Sequence, residues 1–93
     1  MKRFDFMIAY DIASVKRLRQ VAKLLEQHAI RIQYSIFFYS NVTLQECTTL
    51  VKELKMLIDD EEDDVRIYRI QKEKSFHLRS GVDLKFPTII GAI

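Results

Sequence analysis

Residues 4–12, FDFMIAYDI, decide the fold, because apolar side chains recur there at every second position. A period of two residues is typical of a β-strand that packs one face against a core. The apolar face consists of Phe4, Phe6, Ile8, Tyr10 and Ile12. The opposite face is small and mixed, and it consists of Asp5, Met7, Ala9 and Asp11. We therefore predict a first strand with one buried face and one open face that ends in an acid.

A helix is predicted directly after this strand, since the apolar period changes to helical over residues 15–29. Its apolar stripe consists of Val15, Leu18, Val21, Ala22, Leu25 and Ala29. Ser14 is suited to the N-cap position. The rest of the helix surface is basic, with Lys16, Arg17, Arg19 and Lys23. The strand end at Asp11 is thus followed at once by a positively charged helix.

The alternation returns over residues 30–40, a stretch that is long for one strand. Two interpretations stay open: two strands joined by a tight turn near residues 34–36, or one strand followed by a bulge. A slip of one residue would invert the faces of the later part. In the register that we expect, Arg31 and Phe37 lie on the open face beside Asp11. That face is too apolar for full solvation, so it is a candidate dimer interface.

A second helix is predicted over residues 43–58, where TLQE forms a capping box with Thr43 as the cap and Glu46 three residues later. Cys47 lies on the apolar stripe of this helix, and nothing nearby in the sequence would activate a thiol. We therefore interpret it as a small buried hydrophobic residue. As the single cysteine of the chain it excludes an intrachain disulfide framework, which fits a reducing compartment such as the cytoplasm.

The acids of DDEEDD, residues 59–64, repel one another, and we expect them in a solvated connection. VRIYRI, residues 65–70, has the β-branched pattern of a further strand. VDLKF, residues 82–86, is a candidate last strand that Pro87 would end. The order βαββαβ predicts an α+β ferredoxin-like sandwich, an antiparallel sheet with two helices on one face. We predict a single domain over residues 1–93, and a domain of this size gains stability from a partner subunit.

Composition excludes several classes of protein. No stretch approaches 18 apolar residues, so we expect no membrane span. The N-terminus places Asp5 and Asp11 where a signal peptide would be apolar, so we interpret it as part of the fold. The sequence has no P-loop, no Cys-x-x-Cys motif and no glycine-rich dinucleotide turn, which disfavours most cofactor enzymes. His28 and His77 lack the spacing of metal ligands and are expected on the surface.

Asp11 has two interpretations, which we weigh equally. A strand-end aspartate often caps a turn, but it can also bind a metal. Magnesium commonly takes only one or two protein carboxylates and fills its other positions with water and substrate oxygens. One aspartate per chain is too few for a firm site, whereas two copies brought together across a dimer axis would suffice. Such a metal could polarise a phosphodiester and activate water.

The basic start of the first helix also has two interpretations. Most such runs are solvated helix faces, but the position directly after Asp11 favours contacts of Lys16, Arg17 and Arg19 with phosphate. Arg31, together with Arg66 or Arg69, could extend this patch. Aromatic side chains could stack on nucleobases, although packing is their commoner role. The aromatic candidates are Tyr34, Phe37, Phe38 and Tyr39.

Three segments together resemble the second core CRISPR-associated protein family, the small subunit of the spacer-acquisition machinery. They are AYDIAS at residues 9–14, KRLRQVAKLLEQHAIRIQYSIF at residues 16–37 and DDEEDDVRIYRI at residues 59–70. The resemblance covers roughly residues 6–70. It implies a ferredoxin-like homodimer with the two Asp11 side chains near the interface, and assembly with dimers of the CRISPR integrase. It also implies that residues 76–93 hold a tail or a last strand that can pair with the partner's sheet.

The resemblance also implies an activity. Members of this family are described as endonucleases on RNA or double-stranded DNA, with magnesium or another divalent cation bound by the aspartate that matches Asp11. They are described, too, as a structural bridge whose nuclease activity is dispensable for spacer integration. The residues that match the family by position are Tyr10, Asp11, Arg17, Arg19, Arg31 and Phe37.

Three hypotheses follow. In the first, the chain is a magnesium-dependent endonuclease of antiviral defence, in which Asp11 holds the metal while Tyr10 and Phe37 shape the catalytic site. Its nucleic-acid-binding residues would be Lys16, Arg17, Arg19 and Arg31. In the second, the chain is a non-catalytic DNA-binding scaffold that bridges integrase dimers. In the third, it is a related toxin-type ribonuclease outside any CRISPR locus.

Overall fold

The predicted order of strands and helices is present in the structure, a computed structural model that describes residues 1–70 and 89–92. The elements are β1 (Phe4–Asp11), α1 (Val15–Glu26), β2 (Ile30–Gln33), β3 (Ile36–Val42), α2 (Leu44–Leu57), β4 (Asp64–Ile70) and β5 (Ile89–Ala92). The strands form an antiparallel sheet in the order β2-β3-β1-β4-β5. The expected ferredoxin-like fold is therefore confirmed.

β1 lies at the centre of the sheet, and its apolar face forms the core as the alternation predicts. Phe6 and Ile8 are fully buried. The helices contribute Val21 and Leu25 from α1 and Cys47, Leu50 and Leu54 from α2. Burying one large apolar side chain contributes about 1.5–3 kcal/mol, so this cluster is what holds the two helices on the sheet. The buried position of Cys47 confirms its interpretation as a hydrophobic core residue.

The stretch that left two interpretations open folds as two strands, β2 and β3, joined by a turn at residues 34–35. Phe37 of β3 pairs with Ile8 of β1, so it faces the core and is fully buried. Arg31 of β2 pairs with Phe37 and lies on the same side of the sheet. The prediction that Arg31 and Phe37 lie on the open face is therefore wrong. Residues 36–39, IFFY, are apolar at every position, so only the pairing with β1 selects the buried face.

Both helices begin where the sequence predicts. The hydroxyl of Ser14 accepts a first-turn backbone N–H of α1 at 3.3 Å. Thr43 and Glu46 form the reciprocal capping box of α2, with hydrogen bonds of 3.0 and 2.8 Å. α1 ends before residue 29, its predicted limit. Neither of the two helices that the structure describes is long and apolar enough to cross a bilayer.

At the C-terminal end, β5 pairs with β4 of the same chain, with Ala92 opposite Tyr68 and Ile89 opposite Ile70. The predicted strand over residues 82–86 lies outside the described residues, as do His77 and Pro87. The described part of the predicted tail over residues 76–93 is therefore an edge strand of its own sheet.

Candidate functional site

A cleft of about 850 Å³ opens at the end of β1, between α1 and the turn that joins β2 to β3. Its polar lining residues are Tyr10, Asp11, Arg19, Arg31, Tyr34 and Ser35, and its apolar ones are Ile12, Val15, Leu18 and Ala22. The Tyr10 N–H donates to the Ser35 carbonyl at 3.1 Å, which holds the turn beside the strand end. The fold thus gathers Tyr10, Asp11, Arg19 and Arg31, which were singled out in the sequence, into one site. Among the described residues, Lys16, Arg17 and Phe37 do not line it.

Asp11 is the acid of this cleft. It is the last residue of β1 and is exposed. The register places Asp64, the first residue of β4, directly opposite it. Arg66 Nε donates to Asp64 Oδ2 at 2.8 Å and so balances the second acid, whereas the Asp11 side chain makes no hydrogen bond or ion pair with the described residues. Like charges that face each other on adjacent strands repel, and a bound cation would relieve this repulsion.

Arg31 forms one wall of the cleft and is held by several contacts. Its Nη1 donates to the Tyr34 carbonyl at 3.2 Å, and its Nη2 donates to Glu26 Oε2 at 3.3 Å. The guanidinium carbon lies 5.1 Å from the centre of the Phe37 ring, within the range of a cation–π contact. These contacts position the charge while leaving the residue exposed. A guanidinium held in this way is well suited to bind a phosphate group.

α1 supplies a second cation to the cleft, the exposed Arg19. In the part of the chain that the structure describes, the Arg19 side chain makes no ion pair or hydrogen bond. Its guanidinium can therefore bind a ligand without breaking an internal contact. Lys16 and Lys23 are exposed on the same helix, so the positive charge extends beyond the cleft along α1.

Tyr10 and Phe37, which were predicted to shape the catalytic site, pack against each other. Their ring centroids are 6.1 Å apart and the ring planes are tilted by 28°. Burial raises the pKa of Tyr10 above its usual value, with the positive charge of Arg31 opposing that effect, so the phenol is neutral near pH 7. Tyr10 lines the cleft, whereas Phe37 has no exposed surface with which to contact a substrate.

Arg17 binds the acidic connection between α2 and β4. Its Nε donates to Asp63 Oδ2 at 2.7 Å and its Nη2 donates to Glu62 Oε1 at 3.0 Å. The enclosed side chain of Asp63 also accepts the backbone N–H groups of Ala13 and Asp59, at 2.9 and 2.8 Å. The hydrogen bond from Arg17 holds the pKa of Asp63 well below its usual range. The prediction that the whole acidic run is solvated is therefore wrong at Asp63.

Asp63 is the residue near this site that the sequence did not reveal. It is one of six consecutive acids, and 46 positions separate it from Arg17, so no local pattern distinguishes it. The sequence did contain one signal for such a partner, because the first turn of α1 has no acid of its own. The positive end of a helix dipole attracts a carboxylate, and here a distant segment supplies it.

The remaining aromatic and polar candidates have clear places. Tyr34 is 84% exposed at the rim of the cleft, while Tyr39 is buried in the core. Burial raises the pKa of the Cys47 thiol to about 11, which agrees with a packing role and not with a nucleophile. His28 is exposed, which confirms its expected place on the surface.

The cleft offers an oxygen ligand for a hard divalent cation. Among the residues that the structure describes, no three His, Cys, Asp or Glu side chains are grouped as metal ligands. Magnesium, however, commonly binds through one or two carboxylates and keeps several water molecules. Asp11 supplies one exposed carboxylate to a cleft that Arg19 and Arg31 also line, and a single carboxylate is compatible with that kind of coordination.

Comparison with known proteins identifies close relatives. The family model for "CRISPR associated protein Cas2" matches residues 5–77. The chain is 38% identical over 93 residues to a CRISPR-associated endonuclease Cas2 of Halalkalibacterium halodurans, with 89% of this chain and 96% of that protein covered. It is 35% identical over 81 residues to a CRISPR-associated endoribonuclease Cas2 of Synechocystis, with 87% and 83% covered.

Solved structures are similar as well. Cas2 of Streptococcus pyogenes superposes with a TM-score of 0.68 and 30% identity, covering 81% of this chain and 99% of that one. A hypothetical protein of Thermus thermophilus gives a TM-score of 0.75 and 25% identity, covering 94% of this chain and 100% of that one.

Proposed function

This chain belongs to the CRISPR-associated Cas2 family, and on that premise we propose that it is a divalent-metal-dependent endonuclease that acts in CRISPR spacer acquisition. Two of its relatives are named as an endonuclease and an endoribonuclease, which supports hydrolysis of a nucleic-acid phosphodiester. The observation that carries the proposal is the cleft in which the exposed Asp11 lies with Arg19 and Arg31.

The polar residues of the cleft have different roles in phosphodiester hydrolysis. Arg19 and Arg31 bind phosphate oxygens of the strand, and their charges stabilise the negative charge that grows on the phosphate in the transition state. Water provides the attacking oxygen, the bond from phosphorus to the leaving oxygen breaks, and the proton that the water loses passes through solvent to the leaving oxygen. Tyr10 forms the neutral floor of the cleft, where its phenol can donate a hydrogen bond to the substrate.

Asp11 is the residue that would hold the metal, with magnesium as the expected ion. When bound, such an ion polarises the phosphodiester and lowers the pKa of a coordinated water molecule. The residue's own part is to present an exposed carboxylate at the end of β1. We further propose a homodimer that brings two Asp11 carboxylates together across its axis, since two subunits would double the oxygen ligands of the site.

The test is cleavage of labelled RNA and of duplex DNA by purified protein during a magnesium titration. Asp11→Ala should abolish metal-dependent cleavage, because it removes the carboxylate ligand. Asp60→Ala is the matched control, since it removes an exposed carboxylate outside the cleft and should cleave like wild type. Undiminished cleavage by Asp11→Ala would assign the activity to a contaminant and refute this function.

A second candidate is the DNA-binding scaffold that bridges integrase dimers. The observation that favours it is the basic surface of α1, where Lys16, Arg19 and Lys23 are all exposed. On this reading, Asp11→Ala leaves spacer integration intact, while reversing the charges of Lys16 and Arg19 abolishes DNA binding. Normal affinity and an unchanged salt dependence in the reversed variant would exclude it. The relatives described above are Cas2 proteins and give no support to the toxin-type ribonuclease hypothesis.

A further inference from the structure

The contact between Arg17 and Asp63 joins three segments close to Asp11. Asp63 Oδ1 accepts the Ala13 N–H at 2.9 Å, and its Oδ2 accepts the Arg17 Nε–H at 2.7 Å. The same Oδ2 accepts the Asp59 N–H at 2.8 Å. One carboxylate therefore connects the β1–α1 link, the first turn of α1 and the α2–β4 link.

Burial distinguishes this contact from an ordinary surface ion pair. The Asp63 side chain is fully enclosed, and that of Arg17 is 24% exposed. The pair is bidentate, since Arg17 Nη2 also donates to Asp63 Oδ1 at 3.2 Å. Charged bidentate hydrogen bonds are stronger than neutral ones, and shielding from water preserves their strength. The neighbouring pair of Arg17 with Glu62 involves a side chain that is 62% exposed, so we expect it to contribute little.

Asp63 also holds the two strands that meet at Asp11. It directly precedes Asp64, the residue that pairs with Asp11 across β1 and β4. It also accepts the backbone N–H of Ala13, which follows Asp11 by two residues. The backbone of Asp11 is thus fixed on both sides, by the strand pairing and by the hydrogen bond of Ala13.

We propose that Arg17 and Asp63 are positioning residues that hold the backbone of Asp11 for catalysis, and that Arg17 does not bind substrate phosphate. The inference rests on the proposed nuclease function and reassigns Arg17 from the role predicted from the sequence. Arg17 Nε donates to Asp63 and Arg17 Nη2 donates to Glu62. The Arg19 side chain, in contrast, has no partner among the described residues and lines the cleft. A misplacement of about 1 Å in a catalytic group can reduce the rate about 100-fold, so such a support is needed.

Asp63→Asn tests the assignment, because it keeps the side-chain size and removes the charge. For positioning residues, Asp63→Asn and Arg17→Gln each lower kcat by about 10- to 100-fold and leave KM within about twofold. The double variant should be no slower than the worse single one, since both act through one contact. If Arg17 binds phosphate instead, Asp63→Asn frees its guanidinium and tightens substrate binding, which would overturn the proposal.

The salt dependence of binding gives a second readout. It is measured in an Asp11→Asn background, where the nucleic acid stays intact. Losing one phosphate contact reduces the slope of log affinity against log salt by about 1. Arg19→Gln should show that reduction and Arg17→Gln should not. A reduced slope in Arg17→Gln would place Arg17 on the phosphate backbone and contradict the positioning role.

Hydrogen exchange at the Ala13 amide tests the contact without any nuclease assay. In Asp63→Asn this amide should exchange about tenfold faster, because an amide oxygen accepts more weakly than a carboxylate. Glu62→Gln is the matched control, and it should leave both exchange and kcat unchanged because it removes only the exposed pair. If wild type fails to cleave nucleic acid, the proposed function falls. Unchanged exchange at Ala13 in a folded Asp63→Asn protein would separately overturn the positioning role.

Discussion

Phe37 matches the family by position, and replacing it by alanine tests whether it has a packing role or a catalytic role. Its ring is fully buried, packs 6.1 Å from the Tyr10 ring and supports the guanidinium of Arg31 at 5.1 Å. Removing a buried phenylalanine side chain costs about 3–5 kcal/mol of stability. Small domains have a free energy of unfolding of about 5–15 kcal/mol, so this is a large share of the total. At about 4–8 °C per kcal/mol, Tm should fall by roughly 12–40 °C.

The assay is urea unfolding followed by circular dichroism, together with cleavage measured below the unfolding transitions of every variant. Phe37→Leu is the matched control, because it retains most of the volume and should cost only about 1–2 kcal/mol. We expect Phe37→Leu to cleave at nearly the wild-type rate. If Phe37→Ala instead unfolds at the wild-type urea concentration and yet loses cleavage, Phe37 contacts the substrate and the packing explanation is refuted.

Three further predictions concern single residues. Thr43→Ala removes the capping-box acceptor, so it should lower the free energy of unfolding, measured by urea unfolding, by about 1 kcal/mol. An effect below about 0.3 kcal/mol would contradict the capping role. Arg17 lowers the pKa of Asp63, so the stability that this carboxylate contributes is present above the unfolded pKa of about 3.9 and is lost as the pH falls from there toward the lowered pKa of the folded state. Wild type should therefore lose more stability between neutral and acid pH than Asp63→Asn, and equal losses would argue against it. If the exposed ring of Tyr34 stacks on a base, Tyr34→Ala should weaken binding of unpaired RNA by about 5- to 100-fold and leave duplex DNA binding unchanged. Equal effects on RNA and duplex DNA binding would exclude stacking.

The strands and helices were predictable because their signals are local. The alternation of residues 4–12 and the helical stripe over residues 15–29 each depend on neighbours within a few positions. The capping box at Thr43 is equally local and forms as predicted. Since backbone hydrogen bonds and side-chain faces repeat with these short periods, the order βαββαβ could be derived before any contact was known.

The candidate site was predictable only in part. Asp11 stood out because an acid ends an otherwise apolar strand, and the fold does place it in a cleft with Arg19 and Arg31. The side of the sheet on which Phe37 lies was not predictable, because every residue of IFFY is apolar. The partner of Arg17 was hidden as well, since the acids of residues 59–64 look alike along the chain.

By itself, the sequence determined which segments become strands and helices, where each helix begins, and which strand end carries the acid. Only the tertiary structure decided that Phe37 packs in the core and that Asp63 holds Arg17 across 46 positions of sequence. The physical reason is the range of the interactions. Periodicity and capping act between neighbours along the chain, whereas strand register and the burial of one carboxylate among six depend on segments that meet only after folding.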